Sequence, residues 1–342
     1  MTMKLLEAGL STTVQDLGRV GYQQYGVVVS GVMDETAAKI ANVLIGNMEY
    51  DAVLELTLIG PTLLFQQNAL ISICGADLSA TIDGKPAPMW KPVYVKEGSI
   101  LRFGRPQLGC RTYLAAAGGF DLPIVMGSRS TYVRGGIGGF HGRPLDKGDV
   151  LKLNGIKSSH TRVLEQFLCK RMNSASFCTT TWTVSYQMKP NYQKDPVIRF
   201  IKGPHFEHFT EATKKRILND AYQVTSNSDR MGYRLSGSPL ELSKNLELLS
   251  EAVTMGTIQV PKDGQPIILM ADRQTIGGYP KIGYVASVDF PVLAQVLPGN
   301  QLTFQEISIL DAQKLLLQRE KLFSKCKIGL IQAFRRMNDG SD

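Results

Sequence analysis

The chain has 342 residues, which is long enough for two ordinary domains with separate hydrophobic cores. Its 43% hydrophobic and 20% charged residues are typical of globular proteins and argue against intrinsic disorder. No run of about 18 apolar residues occurs, and the N-terminal residues lack the apolar length and cleavage site of a signal peptide. We therefore expect neither a membrane span nor a secretory leader.

The net charge of +8 raises the question of a nucleic-acid partner. The basic residues are concentrated in residues 152–171 and 311–342, and these stretches lack the interleaved aromatic residues of a single-strand-binding groove. Signatures of zinc fingers, helix-turn-helix motifs and RNA-recognition motifs are absent from the sequence. A solvated basic surface explains the charge better, and we expect no nucleic-acid partner.

The cysteines are scattered and form no CxxC pair; they are Cys74, Cys110, Cys169, Cys178 and Cys326. An odd number without a pairing pattern is typical of reduced thiols. We therefore expect a cytoplasmic protein.

Residues 50–155 are rich in short runs of β-forming residues separated by glycine and proline turns. Examples are residues 69–74, 78–82, 93–95 and 100–103. Short strands at this spacing are typical of a sandwich or barrel, so the sequence predicts a mostly β fold.

Helices are predicted where an apolar pattern has start and stop signals. The predicted helices cover about residues 35–45, 205–217 or 210–217, 289–297 and 308–334. Asp34 is a suitable N-cap for the first, and Pro291 suits the first turn of the third. The last helix is amphipathic and basic.

An internal repeat indicates two related lobes. Three motifs recur in the same order, at residues 16–22 and 229–233, 129–131 and 273–275, and 147–151 and 298–302. Accidental recurrence of short Arg- and Gly-containing motifs is the alternative. We predict a first lobe at 1–158, a linker at 159–192, a second lobe at 193–310 and a basic C-terminal helix and tail at 311–342.

The sequence lacks the common catalytic motifs for which we searched. Gly26 to Gly31 has P-loop spacing but is followed by Val32 instead of lysine, and no G-x-S-x-G elbow occurs. His205 and His208 lack an obvious third ligand, so we predict no metal site. His141, in a glycine-rich loop, is either a functional residue or a loop histidine bonded to backbone.

Glycine-rich turns that carry charged residues are the remaining candidates for a binding site. In the first lobe the candidates are Asp16, Arg19 and Arg129; in the second they are Asp272, Arg273, Thr275, Gly277, Gly278, Tyr279 and Lys281. Glycine lets backbone amides approach a ligand, and Arg or Lys binds a carboxylate or phosphate through charge-assisted hydrogen bonds. Alternatively, these arginines tie loops to main-chain carbonyls in a glycine-rich β protein.

Six segments together resemble a known family: residues 13–22, 29–34, 118–121, 127–131, 228–234 and 271–281. In this order they are similar to the biotin-dependent carboxyltransferase family, also called allophanate hydrolase subunit 2. Its stand-alone bacterial members are the C-subunits of 5-oxoprolinase and include an antagonist of a sporulation-kinase inhibitor. The resemblance covers about residues 3–315. It departs at Val32, where proline is frequent, and at His205, where arginine is common.

The resemblance implies two tandem cyclophilin-like β-barrel lobes, in agreement with the repeat. It also implies two partners: the B-subunit of 5-oxoprolinase, which is homologous to the kinase inhibitor, and the A-subunit. Together such chains cleave 5-oxo-L-proline to L-glutamate with ATP hydrolysis, and ATP would be bound here or by a partner. Met3-Lys4 and Met188-Lys189 lack the second methionine of a biotin acceptor, so we expect no biotin on this chain.

For this reaction we predict Asp272, Arg273 and Lys281 as catalytic residues. The predicted substrate-binding residues are Tyr279, Gly277, Gly278, Thr275, Arg129, Arg19 and Asp16. Arg273 and Lys281 would clamp a carboxylate or developing phosphate charge, and Asp272 would position Arg273 or act as a base. Two other functions stay open: a non-catalytic antagonist of a kinase inhibitor, and carboxyl transfer from carboxybiotin to a urea-like amide.

Overall fold

The computed structural model describes residues 2–156 and 158–338. Residues 1, 157 and 339–342, which fall in the predicted first lobe and tail, lie outside the described residues. The described residues form two compact units: residues 2–18, 34–156, 158–190 and 320–338 in the first, and residues 19–33 and 191–319 in the second. The mostly β fold with few helices and a C-terminal helix is confirmed.

The strands of the first unit form two six-stranded sheets. They are β1 (Thr2–Glu7), β2 (Ser11–Gln15), β3 (Val53–Thr57), β4 (Thr62–Phe65), β5 (Ala69–Asp77), β6 (Thr81–Ile82), β7 (Lys85–Pro86), β8 (Pro92–Val95), β9 (Ile100–Arg102), β10 (Leu108–Ala116), β11 (Val150–Lys152) and β12 (Phe177–Thr179). The strand orders are β11-β1-β4-β9-β6-β7 and β12-β8-β5-β10-β3-β2.

One hydrophobic core joins these two sheets. Leu5 and Leu63 come from one sheet, and Leu54, Ile71 and Leu114 come from the other. All five side chains are fully buried. Alternate residues of a strand point to opposite faces, so each strand contributes about every second residue to this core.

Two helices complete the first unit: α1 (Glu35–Leu44) and α2 (Ser159–Arg171). The Asp34 side chain accepts a hydrogen bond from the Ala37 N–H at 2.9 Å, as the N-cap prediction requires. Helix α2 lies in the predicted linker, and β12 from the same stretch pairs antiparallel with β8. The sequence pattern did not indicate α2 because only Thr161, Leu164 and Leu168 of this polar helix are buried.

The second unit contains a closed barrel with the strand order β13-β20-β17-β18-β15-β14-β21. Its strands are β13 (Val197–Lys202), β14 (Tyr222–Val224), β15 (Gly232–Ser236), β17 (Thr257–Gln259), β18 (Ile267–Leu269), β20 (Lys281–Val285) and β21 (Gln301–Glu306). A separate two-stranded sheet pairs β16 (Glu251–Ala252) with β19 (Ile276–Gly277). The barrel is filled by Phe200, Ile258, Ile268, Ile282 and Phe304.

The remaining helices are α3 (Glu211–Asn219), α4 (Phe290–Leu293) and α5 (Ile309–Asn338). Helix α4 is shorter than predicted because the Gln295 and Val296 N–H groups bond three residues back, to Val292 and Leu293, which is a tighter turn than an α-helix. Among the described residues, no helix has both the length and the apolar content needed to cross a bilayer.

Candidate functional site

Lys281 is a deeply buried cationic candidate at the start of a barrel strand in the second unit. It opens strand β20, is 2% exposed, and its ammonium group binds the Glu251 carboxylate on β16. The hydrogen bond from Lys281 holds the pKa of Glu251 below its usual value. Burial of a lysine is unfavourable unless a partner offsets the lost hydration, and Glu251 supplies that partner.

Gln259 lies opposite Lys281 in the pairing of β17 with β20. The neighbouring residues Ile258 and Ile282 point into the barrel core, so Gln259 and Lys281 lie on its outer face. Gln259 is 5% exposed, yet its Nε2 finds no hydrogen-bond partner among the described residues. An unpartnered buried amide costs about 1–3 kcal/mol, which is a reason to expect a ligand oxygen there.

The β16–β19 sheet lies over this outer face. A Cβ on Gly277 would be 2.5 Å from Gln259 Nε2, so glycine at this position leaves room for the amide. Together with the Lys281–Glu251 ion pair, this contact places both short strands beside the buried donors.

His205 adds a third polar group to the cluster. Its Nδ1 accepts a hydrogen bond from the Lys281 backbone N–H at 3.1 Å. Burial, followed by the charge of Lys281, lowers the pKa of His205 below its usual value. A neutral imidazole whose Nδ1 is an acceptor carries its proton on Nε2, so His205 presents a second neutral N–H donor.

Asp272 pairs with an arginine that the sequence had not assigned to the site. Its carboxylate accepts hydrogen bonds from Arg230 Nε at 2.9 Å and Nη2 at 3.0 Å. Asp272, for which we predicted a role in positioning Arg273 or as a base, thus forms a bidentate pair with Arg230. Arg230 belongs to the repeated motif at 229–233. A short motif does not show which arginine, Arg230 or Arg273, contacts Asp272 in the folded chain.

Arg273 fits the alternative role of a loop-tying arginine. Its Nε and Nη1 point to the carbonyl oxygens of Val253 and Met270 at 3.5 and 3.4 Å. Burial lowers its pKa, with Asp272 acting in the opposite direction. Three other predicted residues lie in this loop. The Thr275 carbonyl accepts the Val253 N–H, and Gly278 faces Ser250. Tyr279 is 48% exposed.

In the first unit, Asp16 organises the loop at 128–130. It accepts hydrogen bonds from the hydroxyls of Ser128 and Ser130 at 2.6 Å, from the Arg129 N–H at 2.5 Å and from the Gly18 N–H at 2.8 Å. These four donors match the acceptor capacity of a carboxylate. Asp16 thus positions Arg129, and it has little capacity left for a substrate.

Arg129 and Arg19 differ in environment. Arg129 donates from Nε to the Leu122 carbonyl at 3.1 Å and lines a cavity of the first unit. Arg19 belongs to the second unit, is 1% exposed, and its backbone N–H bonds the Val29 carbonyl. The structure thus brings Lys281 and Gly277 together with Glu251, Gln259 and His205.

Comparisons with known proteins agree with the motifs. The family model described as carboxyltransferase domain, subdomain A and B, matches residues 25–306. The C-subunit of 5-oxoprolinase from Haemophilus influenzae is 37% identical over 92% of this chain and 94% of its own length, and that of Escherichia coli is 36% identical over 94% and 97%.

A solved structure shows the same fold. The crystal structure of Kluyveromyces lactis urea amidolyase has a TM-score of 0.83 and 32% identity over 94% of this chain. This chain spans only 19% of that protein. On the family-model match and the identity to the two bacterial relatives, the chain belongs to the carboxyltransferase-domain family, subdomain A and B.

Proposed function

We propose that this chain is the C-subunit of an ATP-dependent 5-oxoprolinase and acts with the A- and B-subunits in the cytoplasm. The two bacterial relatives that carry the name of this component support the proposal. The observation that carries it is the buried, unpartnered amide of Gln259 beside buried Lys281 and the N–H donor of His205. Three neighbouring hydrogen-bond donors favour a substrate with several oxygen atoms.

The chemistry of 5-oxoproline suits such a group of donors. The molecule has a carboxylate and a lactam carbonyl, and its amide resists hydrolysis because it is resonance-stabilised. ATP supplies the phosphoryl group that turns the lactam carbonyl oxygen into a leaving group. Water then adds to the activated carbon, and the ring C–N bond breaks to give an acyl phosphate and the free amine. A second water releases phosphate from the acyl phosphate, so glutamate, phosphate and ADP result. Because Val32 follows the glycines at 26–31 instead of lysine, we assign ATP to a partner chain.

Within this reaction the chain's own residues bind and stabilise charge. Lys281 and Gln259 would donate to the oxygen on which negative charge develops, a form of stabilisation worth about 10²–10³ in kcat per donor. Glu251 accepts a hydrogen bond from the Lys281 ammonium group and fixes its position. His205 would donate from Nε2 to a second substrate oxygen.

Carboxyl transfer to a urea-like amide is the second candidate. The match to urea amidolyase favours it, since the same donors would polarise a urea carbonyl. A complex of this chain with the two other components separates the two functions. We expect ATP-dependent glutamate release from 5-oxoproline only when all three components are present. Carboxylation of urea by carboxybiotin, without glutamate release, would support the second candidate and refute the first.

A further inference from the structure

The first unit contains a cavity of 680 Å³ that is separate from the cluster around Lys281. Its walls are the end of α1, the turn at 118–119, the first turn of α2 and the second half of α5. The α5 residues that close it follow residue 306, where the family match ends. This volume lies in the range of about 300–1,000 Å³ that is typical of small-molecule sites.

Arg129 presents a cationic group to this cavity. Its backbone N–H is held by Asp16 and its Nε by the Leu122 carbonyl, so the side chain is fixed at its base. No described residue accepts a hydrogen bond from its Nη1 or Nη2. A fixed guanidinium whose two Nη amino groups are available is suited to a carboxylate or a phosphate.

An aromatic wall stands in the same cavity. The rings of His160 and Phe334 are stacked, with centroids 5.7 Å apart and an angle of 28° between their planes. Phe334 is 3% exposed, and Leu330, one turn earlier on α5, is 7% exposed. Phe334 and Leu330 thus support the partly exposed ring of His160 from behind. A flat apolar body would pack on His160, because stacked arrangements are favourable for aromatic rings.

The charged residues in and beside the cavity are two basic and two acidic ones, so their formal charges balance. Lys327 lies 3.2 Å from Glu49. The Asp51 carboxylate accepts the Met48 N–H at 2.9 Å within its own turn, and Arg129 has no ion-pair partner among the described residues. The first turn of α2, which carries His160, adds the partial positive charge of a helix N-terminus.

We propose that this cavity binds a planar aromatic anion, in which a ring packs on His160, held in place by Phe334, and a carboxylate or phosphate binds Arg129. Aromatic carboxylates and nucleoside monophosphates share this chemistry. A five-membered lactam or urea would fill only a small part of the volume. The cavity is therefore an accessory site, and the proposal does not depend on the function assigned to Lys281.

Calorimetric titration of the full-length chain with 1-naphthoate and with AMP tests the proposal. We expect at least one of these two compounds to bind. Two controls should bind at least tenfold more weakly: inorganic phosphate, which has no ring, and cyclohexanecarboxylate, which is not flat. Phe334→Leu, which keeps apolar bulk, and Arg129→Gln should each weaken binding at least tenfold. Leu317→Ala, at an exposed position of α5, and Lys281→Met should leave it unchanged.

Absence of binding by both aromatic anions would overturn the proposal. Equal affinity in the wild type and in both cavity variants would overturn it as well. Circular dichroism checks that each variant has the wild-type secondary structure. Binding that survives in Lys281→Met while 5-oxoprolinase activity is lost separates this site from the proposed catalytic one.

Discussion

Gln259 is the residue whose environment is hardest to explain by folding alone. Replacing it with leucine removes a buried amide that has no partner among the described residues. We therefore expect Gln259→Leu to leave the free energy of unfolding unchanged or to raise it by about 1 kcal/mol. Activity of the complex should fall about 100-fold. A less stable protein with full activity would show that this amide serves folding instead of binding.

The Arg230–Asp272 ion pair leads to a second prediction, about stability. Asp272 is 6% exposed, and its removal leaves a largely buried guanidinium without its carboxylate. We expect Asp272→Ala to lower the free energy of unfolding by about 3 kcal/mol in urea denaturation. Arg273→Ala should cost less, because Arg273 makes only long contacts to carbonyls. A larger loss of stability in Arg273→Ala than in Asp272→Ala would support the predicted positioning of Arg273 by Asp272.

His205 predicts a pH dependence of stability. Its pKa is lower in the folded state than in the unfolded chain, so the unfolded chain binds a proton more readily. The stability that this difference provides is present above the unfolded value of about 6.5 and is lost as the pH falls through that value toward the folded pKa. The groups nearby are Lys281, Glu251 and His208.

Urea midpoints of the wild type and His205→Gln between pH 8 and pH 5 measure this effect. The wild type should lose more stability than the variant on acidification. Parallel pH curves would mean that His205 titrates alike in the folded and unfolded states.

At the level of helices and strands, elements with local sequence signals were predictable, and contacts that depend on strand register were not. Helix α1 was predictable because its N-cap and its apolar face are both local signals. Helix α2 was hidden because its polar surface gives a weak periodic pattern. The site residues Glu251, Gln259 and Lys281 come from three strands, and their meeting depends on strand register, which no local pattern shows.

Strand β5 makes a prediction about a bulge. Gly75 has a φ of +100°, and a Cβ there would lie 2.5 Å from the Arg111 carbonyl oxygen, where the register of β5 and β10 shifts. We expect Gly75→Ala to lower the free energy of unfolding by about 2 kcal/mol or more. Gly84 also has a positive φ but has open space around it, so Gly84→Ala should cost only about 1 kcal/mol. Equal losses in thermal or urea unfolding would show that the close contact at Gly75 has no effect.

For the whole molecule, the internal repeat predicted two lobes, and the described chain forms two compact units with a closed barrel in the second. Residues 19–33 group with the second unit although they precede most of the first. Sequence order cannot predict such an excursion, because it depends on long-range packing. The motifs identified the family correctly, whereas the residues that form the candidate site required the fold.

The most direct test of the proposed function is steady-state kinetics of the assembled complex with Lys281→Met. The matched control is Lys202→Met, at a 43% exposed lysine of the same barrel that pairs with Glu306 at 3.1 Å. We expect Lys281→Met to lower kcat for ATP-dependent glutamate release at least 100-fold, with the complex still assembled, and Lys202→Met to keep wild-type activity. Wild-type kcat and KM in Lys281→Met would contradict the assignment of the site.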